Sequence, residues 1–122
     1  MLGVGTDIVE TRDIVRRMAR SESFAGFVFS DAERRQGESL SVPERSYAAK
    51  FAAKEAFLKA IGIGVMGGVP LPEIEVVATN SRVCEFRLGP SAEAALRQAG
   101  GTKAHLSISH GRGMAMAMVV VT

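Results

Sequence analysis

The sequence has a single cysteine, Cys84, no tryptophan and one tyrosine among its 122 residues. One cysteine excludes an internal disulfide framework and any metal site built on paired cysteines, so a reducing compartment fits best. A platform for stacking nucleic-acid bases would have to come from six phenylalanines that the core also needs. The formal net charge of +2 is also too small to indicate a nucleic-acid binder.

Long apolar runs are missing as well. No stretch approaches the ~20 consecutive apolar residues of a membrane-spanning helix, and the first residues lack the basic stretch and apolar core of a secretory signal. We therefore expect a cytoplasmic protein with no membrane or nucleic-acid partner. Hydrophobic residues make up 47% and charged residues 23% of the chain, as in ordinary folded proteins, and the length predicts one domain over 1–122.

The order of predicted elements indicates an α+β fold with a largely antiparallel sheet packed on one long helix. The long helix follows Pro43, because the next eighteen residues contain no Gly or Pro. In chain order, the patterns predict a strand over 2–9, a helix over 11–20, a short helix opened by Ser30 and Glu33, a loop over 36–42, the long helix over 43–61, a Gly- and Pro-rich loop over 62–72, paired strands over 73–79 and 83–88, a helix over 91–99, and two strands flanking a turn at 111–113.

Glu55 lies on the side of the long helix where core residues are expected. At ~100° per residue, Tyr47, Phe51 and Leu58 form an apolar stripe, and Glu55 falls roughly 40° from Phe51. An isolated buried charge is costly, so this carboxylate must be paired, metal-bound or protonated. The simplest alternative is an ion pair with Lys59, one turn later on a partly exposed helix.

Asp7 supplies a second acid for a different interpretation. It shares a face of the first strand with Gly3 and Gly5, where the missing side chains let another element approach the backbone. If that element is the long helix, Asp7 and Glu55 converge. Two carboxylates with water and phosphate oxygens are a typical environment for Mg²⁺, whereas zinc would require His or Cys.

Basic residues near these acids are compatible with a phosphate site. Lys50, Lys54 and Lys59 lie on the same helix as Glu55 and could reach phosphate oxygens, although a solvated lysine-rich helix is the alternative. Glycines at 62, 64 and 67 spell G-x-G-x-x-G, but they follow a helix instead of a strand, which excludes a dinucleotide fingerprint. Their backbone N–H groups could still bind phosphate.

Other candidate residues carry weaker signals. His110 ends an alternating strand, where a histidine with satisfied hydrogen bonds is the simple interpretation. Ser107 and Ser109 lack the G-x-S-x-G context of a hydrolase nucleophile. Small residues at Ala115 and Ala117 permit another element to approach the last strand closely.

Three motifs occur in one order along the chain. They are Gly3-Val4-Gly5-Thr6-Asp7-Ile8-Val9-Glu10, then Phe51-Ala52-Ala53-Lys54-Glu55-Ala56 with Lys59, then Ser107-Ile108-Ser109-His110 before an Ala-rich strand. Each motif is weak alone, but the ordered set is highly specific. The chain resembles the 4′-phosphopantetheinyl transferases of the holo-acyl-carrier-protein synthase type, over essentially its whole length.

This resemblance implies a homotrimer with a coenzyme A site at each subunit interface, where Asp7 and Glu55 bind Mg²⁺ together with the pyrophosphate of coenzyme A. A serine of an apo acyl carrier protein would attack the β-phosphate, giving the holo carrier protein and adenosine 3′,5′-bisphosphate. Asp7, Glu55 and Lys59 are the expected catalytic residues. The expected coenzyme A site comprises Lys50, Lys54, Lys59, Gly62, Gly64, Ser109 and His110.

The chemistry of such a transfer suggests roles for two residues. Glu55, directly or through a metal-bound water, is the leading candidate for the base that accepts the serine proton. Lys59 could stabilise the leaving bisphosphate, because phosphoryl-type transfer depends on neutralising charge on the departing oxygens. No covalent enzyme intermediate is needed.

Arg12, Arg16 and Arg20 share one face of the first helix, since they recur at every fourth residue. Carrier proteins of this kind are acidic, so this face is an expected docking surface, with a solvated basic face as the alternative. Many family members have a docking arginine six residues after the aspartate, where this chain has Asp13.

Two more positions depart from the family pattern. Gly111 stands where some members have an acidic residue, so no extra metal ligand is expected from that turn, and Met114 stands where an aromatic residue is sometimes found. The strongest rival function is a non-catalytic trimeric module that binds a phosphate-bearing ligand or an acidic protein.

Overall fold

A computed structural model describes residues 2–64, 67–80 and 83–122. Its elements are β1 (Gly3–Glu10), α1 (Thr11–Arg20), α2 (Glu22–Val28), α3 (Asp31–Glu38), α4 (Pro43–Ala60), a 3₁₀ turn (Leu71–Glu73), β2 (Ile74–Ala78), β3 (Cys84–Leu88), α5 (Pro90–Gln98), β4 (Ala104–Gly111) and β5 (Met114–Val121). The predicted α+β class and the long helix are confirmed. No helix in the described part of the chain has the length and hydrophobicity needed to cross a bilayer.

The strands form two antiparallel sheets, one of three strands in the order β1-β5-β4 and one formed by β2 and β3. In the larger sheet, β5 places Ala117 opposite Asp7 of β1 and Ala115 opposite His110 of β4. Because alternate residues of a strand share a face, Asp7 and His110 lie on the same face of the sheet, on opposite edge strands.

Helix α4 packs directly against this face because the facing residues are small. Ala117 is 0% exposed beneath the helix. A Cβ atom built on Gly3 would lie 2.0 Å from the carbonyl oxygen of Ala60, and one built on Gly5 would lie 2.0 Å from that of Ala56. The predicted close approach at these glycines is therefore confirmed, and the approaching element is α4.

The opposite face of the three-stranded sheet is open, and β1 and β5 expose large apolar side chains on it. These side chains are between 37% and 60% exposed, and they are Val4, Ile8, Met114, Met116 and Met118. Thr6 of β1 and the β4 serines Ser107 and Ser109 border this open apolar face. A contiguous apolar surface of this kind is uncommon on a protein that acts as a monomer.

Helix α3 occupies part of the stretch predicted to be a loop. The predicted capping box is present, with the Ser30 hydroxyl accepting from the Glu33 N–H at 3.1 Å and the Glu33 carboxylate accepting from the Ser30 N–H at 2.9 Å. The helix continues past Gly37 to Glu38 because Tyr47 packs there: a Cβ on Gly37 would lie 2.7 Å from the Tyr47 ring. This tertiary contact overrides the poor helix propensity of glycine.

Helix α2 is not predicted by the sequence patterns. Its seven residues are too few for a clear periodic signal, and the helix is instead held by packing. Phe24 stacks on Phe51 of α4, with 6.2 Å between ring centroids, and Val28 is 1% exposed.

The predicted pairing of β2 with β3 is confirmed, with Val76 opposite Phe86. Ser81 and Arg82 of the predicted turn between them lie outside the described residues, as do Val65 and Met66 of the predicted glycine-rich loop.

Candidate functional site

Asp7 and Lys59 join the first strand to the long helix. The Lys59 Nζ donates to Asp7 Oδ1 at 3.1 Å and to the Thr6 carbonyl oxygen at 2.9 Å. The Asp7 side chain is 17% exposed, whereas that of Lys59 is 55% exposed. The lysine therefore neutralises a largely buried carboxylate and remains accessible from solvent.

Glu55 lies one helical turn before Lys59 and faces the same region. Burial, and then the negative charge of Asp7, raise the pKa of Glu55, while Lys59 and Arg17 act in the opposite direction. The alternative of a Glu55–Lys59 ion pair is wrong, because Lys59 pairs with Asp7 instead. Within the described residues Glu55 has no hydrogen-bond partner, so its oxygens are available to a ligand.

Asp7 and Glu55 line one open pocket of about 490 Å³, together with Asp13, Arg17 and Phe51 among others. The convergence of the two predicted acids is therefore confirmed. The described chain contains no cluster of three or more potential metal-ligating side chains. Two carboxylates that leave most coordination positions to water or phosphate suit a hard cation such as Mg²⁺, and they do not suit zinc.

Arg17 is a member of this pocket that the sequence patterns do not single out. Its guanidinium carbon lies 5.7 Å from the ring centroid of Phe51 and 6.0 Å from that of Phe24. The signal for it is indirect: Arg17 follows the buried Ile14 by three residues, which places it at the border of the buried face of α1.

Lys54 is not available to coenzyme A, and the expectation that it contacts a phosphate is wrong in this structure. Its side chain is 0% exposed. Its Nζ donates to Glu33 Oε1 at 2.8 Å and to the carbonyl oxygens of Leu71 and Ile74 at 2.8 and 3.0 Å. These three bonds use all the N–H groups of an ammonium ion, so Lys54 connects α4 to the core.

Lys50 is also buried, and it lies away from the acid pair. It is 7% exposed and donates to the side chains of Gln36 and Ser46. Burial lowers the pKa of Lys50, although Glu33 raises it. Lys50 does not join the pocket of Asp7 and Glu55 within one chain.

Gly62 ends helix α4. It has a φ of +78°, the left-handed conformation that glycine adopts readily. Its N–H donates to the carbonyl oxygen of Lys59 at 3.1 Å, so the expectation that this N–H binds phosphate is wrong in this conformation. Gly64 is exposed, and its carbonyl oxygen accepts from the Gly67 N–H at 2.9 Å.

His110 and Ser109 lie apart from the acid pair. His110 lines a small pocket with Thr11, Arg45 and Arg112 among others. Ser109 is opposite Met116 of β5, on the open apolar face of the sheet. One chain therefore does not bring these two residues to Asp7 and Glu55.

Arg12, Arg16 and Arg20 are exposed on α1, as expected. Arg12 pairs with Glu10 at 2.8 Å and Arg16 with Asp13 at 3.5 Å. Both pairs are solvent-exposed, and such pairs contribute little stability, so an acidic partner could replace them at small cost.

Comparison with known proteins gives a consistent result. The sequence pattern of the 4'-phosphopantetheinyl transferase superfamily matches residues 3–118. A holo-[acyl-carrier-protein] synthase from Cytophaga hutchinsonii is 39% identical over 120 residues, which cover 97% of this chain and 94% of that protein.

Solved structures agree with the sequence comparison. The crystal structure of holo-[acyl-carrier-protein] synthase from Neisseria meningitidis superposes with a TM-score of 0.91 at 32% identity, over 100% of this chain and 98% of that one. The Helicobacter pylori holo-[acyl-carrier-protein] synthase in complex with coenzyme A superposes with a TM-score of 0.83 at 26% identity, over 98% and 99% of the two chains.

The different environments of two lysines on α4 can be tested by stability measurements. We expect Lys54→Met to lower the free energy of unfolding by about 3–5 kcal/mol, because it leaves the buried Glu33 carboxylate unpaired. Lys59→Met, which removes a half-exposed partner, should cost about 1 kcal/mol or less. Urea denaturation at one protein concentration measures both values, and a loss of about 1 kcal/mol or less for Lys54→Met would contradict the buried pairing of Lys54 with Glu33.

Proposed function

Because the chain belongs to the 4'-phosphopantetheinyl transferase superfamily, we propose that it transfers 4′-phosphopantetheine from coenzyme A to a serine of an apo acyl carrier protein. The products are the holo carrier protein and adenosine 3′,5′-bisphosphate. The observation that carries this proposal is the shared pocket of Asp7 and Glu55, with Lys59 against Asp7. The names of the related proteins and their coenzyme A complexes support the same reaction.

The transfer replaces one phosphorus–oxygen bond by another. The serine oxygen bonds to the β-phosphorus of coenzyme A, and the bridging pyrophosphate oxygen leaves with the bisphosphate. Glu55 is the proposed acceptor of the serine proton, since its carboxylate has no hydrogen-bond partner within the described chain. Lys59, which is 55% exposed beside Asp7, stabilises the negative charge on the leaving group.

Asp7 and Glu55 would hold Mg²⁺, which supplies further neutralisation of the phosphate charge when bound. Carboxylate oxygens are the ligands that this cation prefers, and a pair of them leaves room for phosphate oxygens. The contact between β1 and α4 sets the positions of both residues, so the two side chains line one pocket without a bound ligand.

A homotrimer would complete the site. The open apolar face of Val4, Ile8, Met114, Met116 and Met118 is the proposed subunit interface, because burying it removes apolar area from water. His110 and Ser109 are exposed and do not reach the acid pair within one chain. A coenzyme A site between subunits gives these two residues a route to the ligand from a neighbouring copy, whereas Lys50 is buried and bonded to Gln36 and Ser46.

Helix α1 is the proposed docking surface for the acidic carrier protein. Its exposed arginines supply charge complementarity, which steers and orients a partner more than it tightens binding. Arg20 also borders a groove with Phe27, whose side chain is 64% exposed. The arginines and this ring together form a basic surface with an apolar centre.

The reaction is tested by incubating the protein with apo carrier protein, coenzyme A and Mg²⁺, with and without a chelator. We expect the carrier to gain the mass of one phosphopantetheine only without chelator. No mass gain on any carrier would favour a non-catalytic binding module.

The role of Glu55 is tested in the same assay. Glu55→Gln should lower kcat/KM by about 10²- to 10⁴-fold, since the amide keeps the shape of the side chain but cannot accept the proton. Near-normal turnover of Glu55→Gln would remove Glu55 from the mechanism.

The docking surface is tested by reversing two charges on α1. We expect Arg16→Glu with Arg20→Glu to raise KM for the carrier protein roughly tenfold and to leave KM for coenzyme A unchanged, because only the carrier needs electrostatic steering. The matched control reverses two exposed cations elsewhere, Arg97 and Lys103, and should change neither constant. Equal effects on both substrates would argue against docking on α1.

The interface is tested by placing a charge in the centre of the apolar face. Native mass spectrometry should give three times the 12.9 kDa chain mass for the unaltered protein, and a monomer for Met116→Lys, because the charge would be buried without a partner. Leu40→Lys, at a residue 40% exposed outside the sheet, is the control and should stay trimeric. A trimer that tolerates Met116→Lys would place the interface elsewhere.

A further inference from the structure

Arg17 lies between two open cavities on the surface, the pocket of Asp7 and Glu55 and the groove of Phe24 and Phe27. It lines the pocket of Asp7 and Glu55, and it also lines the neighbouring groove that contains Phe24 and Phe27. It is therefore the α1 arginine that belongs to both surfaces. Arg20 lines the groove only.

The guanidinium of Arg17 is held in place by two aromatic rings. It lies 5.7 Å from the centroid of Phe51 and 6.0 Å from that of Phe24, within the range of a cation–π interaction. Phe51 precedes Glu55 by one turn of α4, so the ring that holds Arg17 is fixed to the same helix as the acid. Contacts of this kind restrict an exposed arginine that would otherwise sample many rotamers.

The charges around the pocket leave Arg17 without an ion-pair partner. Lys59 is engaged with Asp7, and Arg17 forms no ion pair or hydrogen bond through its guanidinium with the described residues. Its side chain nevertheless lines the same pocket as the carboxylates of Asp7 and Glu55. An unpaired, positioned guanidinium beside two carboxylates opposes the binding of a lone metal cation and favours the binding of an anion.

We propose that Arg17 binds a phosphate oxygen of the coenzyme A pyrophosphate. By doing so, Arg17 makes Asp7 and Glu55 bind a divalent cation together with the phosphate in preference to the cation alone. This proposal rests on the proposed function. Arg17 and Lys59 would then supply positive charge from two elements, α1 and α4, on either side of the acid pair. Planar, bidentate donation to phosphate is the geometry for which arginine is suited.

The proposal predicts two effects of opposite sign for Arg17→Gln. Mn²⁺ affinity in the absence of coenzyme A, measured from the free-ion signal in electron paramagnetic resonance, should increase about three- to tenfold. Coenzyme A affinity in the presence of chelator, measured by calorimetry, should decrease by about the same factor. These factors correspond to one screened charge interaction near the surface.

Control variants separate this role from others. Arg17→Lys keeps the charge and should return both affinities toward those of the unaltered protein. Arg97→Gln, at an arginine paired with Glu93 on α5, should change neither. A merely structural role for Arg17 would weaken both ligands together, and a contact with the carrier alone would change neither affinity while raising KM for the carrier. Either result overturns the proposal.

The transfer assay on the unaltered protein distinguishes failure of this proposal from failure of the proposed function. If the protein modifies its carrier and Arg17→Gln shifts neither affinity, only the role of Arg17 is wrong. If no carrier is modified and the opposite shifts are still observed, the pocket binds metal and phosphate as described, and the transferase assignment is wrong.

Discussion

The candidate site depends on a backbone contact between one strand and one helix. Two glycines of β1, Gly3 and Gly5, lie so close to the carbonyl oxygens of α4 that no side chain could be accommodated at either position. The distance between strand and helix is therefore set by main-chain atoms, which vary less than side-chain packing does. Asp7, the next residue on the same face, is carried to the level of Glu55 by this contact, and Lys59 secures it there.

The same helix also separates structural charges from functional ones. Lys54 and Glu55 are adjacent in the chain, and the 100° between neighbouring helix positions turns one toward the core and the other toward the pocket. The core lysine makes three hydrogen bonds and is closed to solvent. The contact of Lys54 with Glu33 connects α4 to α3. The N–H of Val76 donates to the same glutamate at 2.8 Å, so β2 is bonded to this pair as well. Rotation of α4 is thereby restricted, which keeps Glu55 on the side of the helix that lines the pocket shared with Asp7.

Much of this arrangement follows from local patterns. The alternation in β1 places Asp7 beside two glycines, and a long helix without Gly or Pro places Glu55 among core positions. The convergence of the two acids could be predicted because the missing Cβ atoms indicate a close neighbour. The glycines do not say which element approaches, and the contacts of Gly3 with Ala60 and of Gly5 with Ala56 identify it as α4.

Other features could not be found from sequence periodicity. Helix α4 is buried around most of its circumference, with Ala48, Ala49, Ala52, Ala53 and Ala56 all inside, so a single apolar stripe does not tell which lysine faces solvent. The prediction that Lys54 contacts a phosphate is therefore wrong, and so is the pairing of Lys59 with Glu55, because Lys59 pairs with Asp7. The place of Arg17 in the site cannot be predicted from sequence, because it depends on the packing of Phe24 of α2 against Phe51 of α4. These two residues lie far apart in the chain.

The central claim is that Asp7 and Glu55 share one divalent cation in the assembled protein. Crystals grown with coenzyme A and Mn²⁺ test it directly, because the anomalous scattering of manganese locates the ion without reference to the surrounding atoms. We predict a single strong anomalous peak per subunit within coordination distance, about 2.0–2.6 Å, of a carboxylate oxygen from each residue. A peak coordinated by only one of the two acids, or located elsewhere in the subunit, would contradict the account.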